Sequence, residues 1–183
     1  MTTLYSQALA ELSGVFDRLD DAAVDRAVRM IAESRTVLIF GCGRERLQIM
    51  GLAMRLFHLG RRVAVVGDMT TPPAGQGDLF LATVGPGELA TAQALLAIAR
   101  QAGAKTLVVT AQPEGPVAAL ADFVLTIPAQ TMADDRTAKT SVLPMGSLYE
   151  GALFVLFEVM VLKLRDLLGV TPEQMRANHT NLE

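Results

Sequence analysis

The chain has 183 residues, of which 51% are apolar and 19% charged, and its net charge is −3. That length suits one domain with a substantial core, and the mild negative charge gives no footing for nucleic acid or an anionic membrane as partner. Cys42 is the only cysteine, which excludes an intrachain disulfide and a cysteine-rich zinc site. The amino-terminal stretch lacks the basic end and apolar run of a secretion signal. The longest apolar stretch, Gly151 to Leu162, contains Glu158 and falls short of a membrane span. A cytoplasmic protein is the expectation. Its apolar excess has two simple homes, a sheet covered on both faces and a subunit interface.

In chain order, Gln7 to Ser34 shows helical periodicity in Leu9, Leu12, Phe16, Leu19, Val24, Val28 and Ile31. Asp20 and Asp21 break it into two helices, one of them acting as a cap. Thr36 to Phe40 reads as a strand buried on both faces, stopped by Gly41-Cys42-Gly43. Arg44 to Leu59 returns to helical spacing and ends at Gly60, a carboxyl-terminal stop. Arg62 to Val66 is a second strand, followed by the turn-rich Gly67 to Pro73. Asp78 to Val84 is a third strand, Glu88 to Ala102 a helix, and Lys105 to Thr110 a fourth strand. Pro116 to Ala121 reads as a short helix and Phe123 to Ile127 as a fifth strand. Ala129 to Pro144 is polar and without period, hence a loop. Gly146 to Leu168 is a long helix, and Thr171-Pro172-Glu173-Gln174 opens a last one with a capping pattern.

Strands alternating with helices predict right-handed crossovers and one parallel sheet. The expected class is α/β: three layers, αβα, around a five-stranded parallel sheet of flavodoxin-like order. The expectation is a single domain over residues 1–183: helices in 1–34, a sheet core in 36–128, a loop in 129–145, and helices with a tail in 146–183. Ligands of such sheets bind beyond the carboxyl ends of the strands, which singles out Gly41 to Arg46, Asp68 to Pro73 and Val84 to Glu88.

Gly41-Cys42-Gly43-Arg44 is a strand–glycine–helix junction. It is either an oxyanion site, with backbone N–H groups turned to a ligand, or a tight turn and nothing more. A full dinucleotide fingerprint is absent, because Arg46 stands where a third glycine is required, and no P-loop lysine pattern occurs. Gly85-Pro86-Gly87-Glu88 is a second such junction. Glu45 and Glu88 place carboxylates where a first helical turn is expected, so helix capping competes with ligand binding, and Pro86 has no N–H to give an anion. Cys42 reads as small-residue packing, and Met50, Met54, Met145 and Met160 as core or interface fillers. Asp134-Asp135 reads as solvated loop. The two histidines, His58 and His179, lack metal-ligand spacing, so neither a metal nor another cofactor is expected.

Four segments resemble the 6-phospho-3-hexuloisomerases of the sugar isomerase (SIS) family. Phe40-Gly41-Cys42-Gly43-Arg44 with Ala53 to Gly60 is similar to their first helical unit. Thr70-Thr71-Pro72 with Gly75 to Asp78 is similar to the second. Pro144 to Glu150 and His179 to Glu183 are similar to the third and the last. The resemblance implies an SIS fold, a homotetramer, and an aldose–ketose isomerisation of a hexulose 6-phosphate or a related acidic sugar.

Isomerisation requires a base that moves a proton between adjacent carbons through an enediol, and an acid for the oxygens. The resemblance implies Glu150 as that base and His179 as a proton shuttle reaching a neighbouring subunit's pocket. Gly41, Gly43, Arg44, Arg46, His58, Thr70, Thr71, Gly85, Gly87 and Glu88 are the candidate substrate-binding residues. Arg136 and Lys139 are further cations available to an acidic group.

The departures from the family pattern are as pointed as the match. Glu45 stands where the family carries Ser, and Val84-Gly85-Pro86-Gly87-Glu88-Leu89 replaces a Ser-Gly-Ser-Gly-Glu-Thr phosphate loop. A hydrogen bond to a charged group is worth roughly 1.5–3 kcal/mol, so losing several hydroxyls weakens phosphate binding by orders of magnitude. A non-catalytic SIS module that binds a sugar derivative is therefore the alternative expectation.

Overall fold

The computed structural model describes residues 3–136 and 141–182. Lys139 and Glu183, both singled out above, lie outside the described residues. In chain order the elements are α1 (Leu4–Phe16), α2 (Asp21–Glu33), β1 (Val37–Phe40), α3 (Gly43–His58), β2 (Val63–Val65), β3 (Leu79–Thr83), α4 (Ala90–Gln101), β4 (Lys105–Thr110), β5 (Phe123–Thr126), α5 (Ser147–Leu168) and α6 (Pro172–Ala177). All five strands are parallel, in the order β2-β1-β3-β4-β5. This is the flavodoxin-like order the sequence leads one to expect, and its strand order reverses between β1 and β3.

Alternation along the strands builds two cores. Val37, Ile39, Leu79, Leu81, Leu107, Val109 and Leu125 point to one face, where α2, α3 and α5 cover them. Leu38, Phe40, Phe80, Ala82 and Val108 point to the other, against Ala92, Leu96 and Ala99 of α4. Successive residues of a strand face opposite ways, so a strand buried on both sides must be largely apolar, as β1 is throughout and β3 is up to its last residue, Thr83. The helix α5 is the spine of the thicker layer, packing on α1, α2 and α3.

Three expected elements change. The second strand shrinks to Val63–Val65, because it is an edge strand held only by β1 through a three-residue register. The helix expected over Pro116 to Ala121 is a single 3₁₀ turn, Ala118–Leu120. Asp122 directly after it is already bonded to the Thr106 backbone N–H and hydroxyl on β4, so the chain has no room to continue helically. The fourth helix starts at Ala90, not at Glu88. Gly87 closes a turn with φ +77° and donates to Val84 O, and Leu89 is extended at φ −161°. Glu88 therefore sits outside the first turn, which corrects its expected capping role.

The two amino-terminal helices meet at a cap. Asp20 accepts hydrogen bonds from Ala22 N at 3.0 Å and Ala23 N at 3.3 Å, satisfying two of the orphan donors of α2. Asp20→Ala is expected to lower unfolding stability by about 1 kcal/mol, read as a shift in urea midpoint. An unchanged midpoint would show that the cap is not made in solution.

Candidate active site

The carboxyl ends of β1 and β3 lie side by side, and the chain leaves them towards helices on opposite faces, which opens a crevice. The junction after β1 is Gly41-Cys42, with α3 beginning at Gly43. A Cβ on Gly41 would stand 3.1 Å from Thr83 Cγ2 and 3.2 Å from Arg46 N. A side chain there would press on β3 and on the first turn of α3, so close packing accounts for a glycine whether or not a ligand is bound. Cys42 is exposed as the residue before α3, so the expectation of tight packing for it does not hold.

Glu45 stands in the first turn of α3, yet its carboxylate does not cap that helix. It crosses the crevice instead. Gly85 N donates to both Glu45 oxygens at 3.0 Å, and Thr83 Oγ1 donates to Oε2 at 2.7 Å. Since Thr83 has given its only proton to Glu45, the 3.0 Å contact between Thr83 Oγ1 and Tyr149 Oη has Tyr149 as donor. The result is a relay, Tyr149 to Thr83 to Glu45, with Tyr149 only 1% exposed. A Cβ on Gly85 would come within 2.8 Å of the Tyr149 ring and 3.0 Å of Glu45 Oε1. This glycine does bring backbone to an anion, but the anion belongs to the chain.

Burial raises the Glu45 pKa above the ordinary 4.5, opposed by the bonds from Thr83 and Gly85 and reinforced by the charge of Glu150. Burial likewise pushes the Tyr149 hydroxyl well above its usual range, helped by the negative charge on Glu45, so it remains a neutral donor.

Glu150 follows Tyr149 in the first turn of α5. The turn before it is strained: Met145 adopts φ +54°, a conformation that non-glycine residues seldom take. Arg44 Nε lies 2.9 Å from Glu150 Oε2, with Arg44 66% exposed and the Glu150 side chain 15% exposed. The guanidinium N–H is not aligned on that oxygen, and Oε2 is buried without a hydrogen bond. Charge attraction alone holds it.

The remaining candidates are spread out. Arg46 donates to Val66 O at 3.1 Å and lies 3.6 Å from Asp68 Oδ1. Thr71 spends its hydroxyl on Val65 O and Asp68 O, bracing the turn after β2. Thr70 and Thr71 line a cavity of about 680 Å³ that runs along the edge strand past Arg62. Gly87 and Glu88 lie on the loop beside the crevice, Gly87 buried and Glu88 exposed. Arg136 is exposed on the loop after β5, while Asp134 accepts from Thr131 N at 2.8 Å.

His58 and His179 lie elsewhere. The His58 ring is 4% exposed at the carboxyl end of α3 and stacks on His179, with centroids 5.1 Å apart. Asn178 Nδ2 donates to His58 O at 2.9 Å, tying the tail there. Sixteen residues of α3, about 24 Å at 1.5 Å per residue, separate this pair from the crevice. Within one chain, then, Glu150, Arg44, Gly41, Gly43 and Gly85 come together, and His58 and His179 do not join them.

Thr83 and Tyr149 escaped the sequence reading. Thr83 looks like a strand residue and no more. For Tyr149 a signal existed, as one of two tyrosines and the neighbour of Glu150.

An acid whose pKa is raised by folding is penalised in its charged form, so stability falls as pH climbs from 4.5 through the folded value. Glu45→Gln is therefore expected to raise the melting temperature at neutral pH, with the gap closing as pH is lowered towards 4.5. A gap that widens on acidification contradicts this account.

Residues 30–153 match the SIS domain family. A 3-hexulose-6-phosphate isomerase of Methylomonas aminofaciens is 34% identical over 177 residues, covering 96% of each chain. Another, of Mycobacterium gastri, is 36% identical over 173 residues, covering 94% of this chain and 86% of the relative. A hypothetical protein of Methanococcus jannaschii, whose crystal structure was described as inferring a function of 3-hexulose-6-phosphate isomerase, superposes with a TM-score of 0.84. Its identity is 22%, and the match covers 98% of both chains; at that identity the likeness is one of fold. On the family match and the two near-full-length relatives, the chain belongs to the SIS domain family.

Proposed function

We propose that this chain is an aldose–ketose isomerase of the 6-phospho-3-hexuloisomerase type, working through an enediol with Glu150 as the base. The observation that carries the reading is the Glu150 carboxylate. The side chain is 15% exposed beside the crevice while its Oε2 lies 2.9 Å from Arg44 Nε, so the carboxylate is oriented by a cation and still partly open to a substrate. The adjacent Arg44 supplies positive charge to one carboxylate oxygen and steadies the side chain that must pick up and return a proton.

An open-chain sugar in the crevice would lose the proton on the carbon beside its carbonyl to Glu150. The electron pair moves to form the enediol, Glu150 exchanges its proton with solvent, and one proton returns to the neighbouring carbon, so one proton leaves carbon and one is restored. A second proton must travel between the two oxygens. His179 is the candidate by family resemblance, and its distance from Glu150 within one chain means that it would serve a neighbouring subunit. Self-association in a homotetramer is supported by the exposed row Leu47, Met50, Met54 and Phe57 along α3 and by Phe154 and Leu162 on α5. The names of the relatives put hexulose 6-phosphates first among the sugars to try. The chemistry at Glu150 is indifferent to what the sugar carries at its far end. No helix among the described residues is long and apolar enough to cross a membrane, which agrees with a cytoplasmic enzyme.

A second reading, a non-catalytic SIS module, is favoured by one observation: the β3 loop that would greet a phosphate already gives its Gly85 amide to Glu45. Turnover separates the two. Across a panel of pentoses, hexoses and hexuloses, free and phosphorylated, the chain is expected to interconvert at least one pair of sugars that differ by one carbon in the position of the carbonyl, aldose with ketose or 3-ketose with 2-ketose. Glu150→Gln is expected to lower that kcat by about 10²–10⁴-fold with an unchanged melting temperature. No turnover on any sugar, or full turnover in Glu150→Gln, overturns the isomerase reading.

A further inference from the structure

The loop after β3 can be audited donor by donor. Val84 N donates to Val109 O at 2.9 Å, Gly85 N to Glu45 at 3.0 Å, and Gly87 N to Val84 O at 3.0 Å. Pro86 has no N–H. Every backbone amide from Val84 to Gly87 is therefore spent inside the chain. The side chains bring nothing to replace them, since Val84, Pro86 and Leu89 carry no donor. Of the strand-end hydroxyls, Thr83 donates to Glu45 and Thr110 to Gly85 O. The nearby cations each face a carboxylate of the chain, Arg44 through its Nε with Glu150 and Arg46 with Asp68, and Arg46 also donates to Val66 O.

A phosphate arriving at this loop meets the Glu45 and Glu150 carboxylates and a Gly85 amide already given to Glu45. A hydroxyl meets something different. An ionised carboxylate has about four lone-pair sites, and Glu45 Oε1 holds only the shared bond from Gly85 N. Glu45 is half-buried, not sealed, so it retains acceptor capacity at the crevice.

We propose that Glu45 takes the place of the ligand's anion at the β1–β3 crossing and sets specificity, so that the sugar this chain isomerises presents an uncharged, hydroxyl-bearing end there and no phosphate. The proposal rests on the isomerase reading for its word "isomerises", but the binding rule stands on the loop geometry alone. Glu45 acts here as a specificity-determining residue, by excluding one class of ligand and accepting hydrogen bonds from another.

The test has two arms. In the first, kcat/KM is measured for matched free and 6-phosphorylated ketohexoses, such as fructose and fructose 6-phosphate, with the wild-type chain, Glu45→Ser and Glu45→Gln. The free sugar is expected to be preferred by about tenfold or more in the wild type, and both variants are expected to shift the ratio towards the phosphorylated sugar by a similar factor. A wild-type preference for the phosphorylated sugar, or a ratio untouched by either substitution, overturns the proposal. In the second arm, inorganic phosphate is titrated into ¹⁵N-labelled protein. The Gly85 amide resonance is expected to stay still in the wild type and to move in whichever Glu45 variant keeps the native spectrum. Saturable movement of Gly85 in the wild type overturns the proposal even where no sugar turns over, and so separates its failure from that of the isomerase reading.

Discussion

The bonds between the Glu45 carboxylate and Gly85 N join parts of the molecule that the fold drives apart. β1 and β3 are neighbours in the sheet, but α3 and α4, which follow them, pack on opposite faces. This divergence leaves the crevice characteristic of a doubly wound sheet. Glu45 reaches from α3 across it, holds the β3 loop, and through Thr83 fixes Tyr149 in α5. Three segments remote in sequence are thereby held by one carboxylate. The positions beside that relay follow from it: Arg44 precedes Glu45 and Glu150 follows Tyr149, so the ion pair between Arg44 and Glu150 sits where the relay puts it.

An anion carried by the chain differs physically from one supplied by a ligand. It is in place before any sugar arrives, and burial opposes its charge even with hydrogen bonds in compensation. The relatives named 3-hexulose-6-phosphate isomerase share the length and much of the sequence of this chain. What this chain shares with them is the SIS scaffold. Its own β3 loop is tied to Glu45 through the Gly85 amide. On the proposed reading, proton transfer and substrate choice reside in different side chains, Glu150 and Glu45, so a change in one need not disturb the other.

Much of the fold was legible because its signals are local. β1 is an unbroken apolar run, Asp20 is a short acceptor before a helical period, and Gly60 follows the last turn of α3 with φ +74°. The sites that escaped depend on contacts across the chain. A glutamate in a first helical turn reads as a cap for its own helix, and nothing in the sequence says that Glu45 prefers a backbone N–H 40 residues onward. Thr83 looks like any β-branched strand residue until Tyr149 and Glu45 meet it. Glu88 was misplaced because the Gly87 turn delays α4 by two residues beyond a plausible start. Glu150 stands out in the sequence only through the motif around it, since an acidic residue in a first turn is otherwise unremarkable.

The claim at the centre of this account is that Glu150 moves a carbon-bound proton at the β1–β3 crossing, and hydrogen exchange with solvent reads that event directly. Ketohexoses, free and phosphorylated, would be incubated with the chain in D₂O while ¹H NMR follows the hydrogens on the carbons beside the carbonyl. The account predicts that deuterium enters one of those positions in the wild type and that entry stops in Glu150→Gln. Isomerisation without any deuterium entry would indicate a hydride shift, and exchange that persists in Glu150→Gln would place the base elsewhere; either result contradicts the role assigned to Glu150.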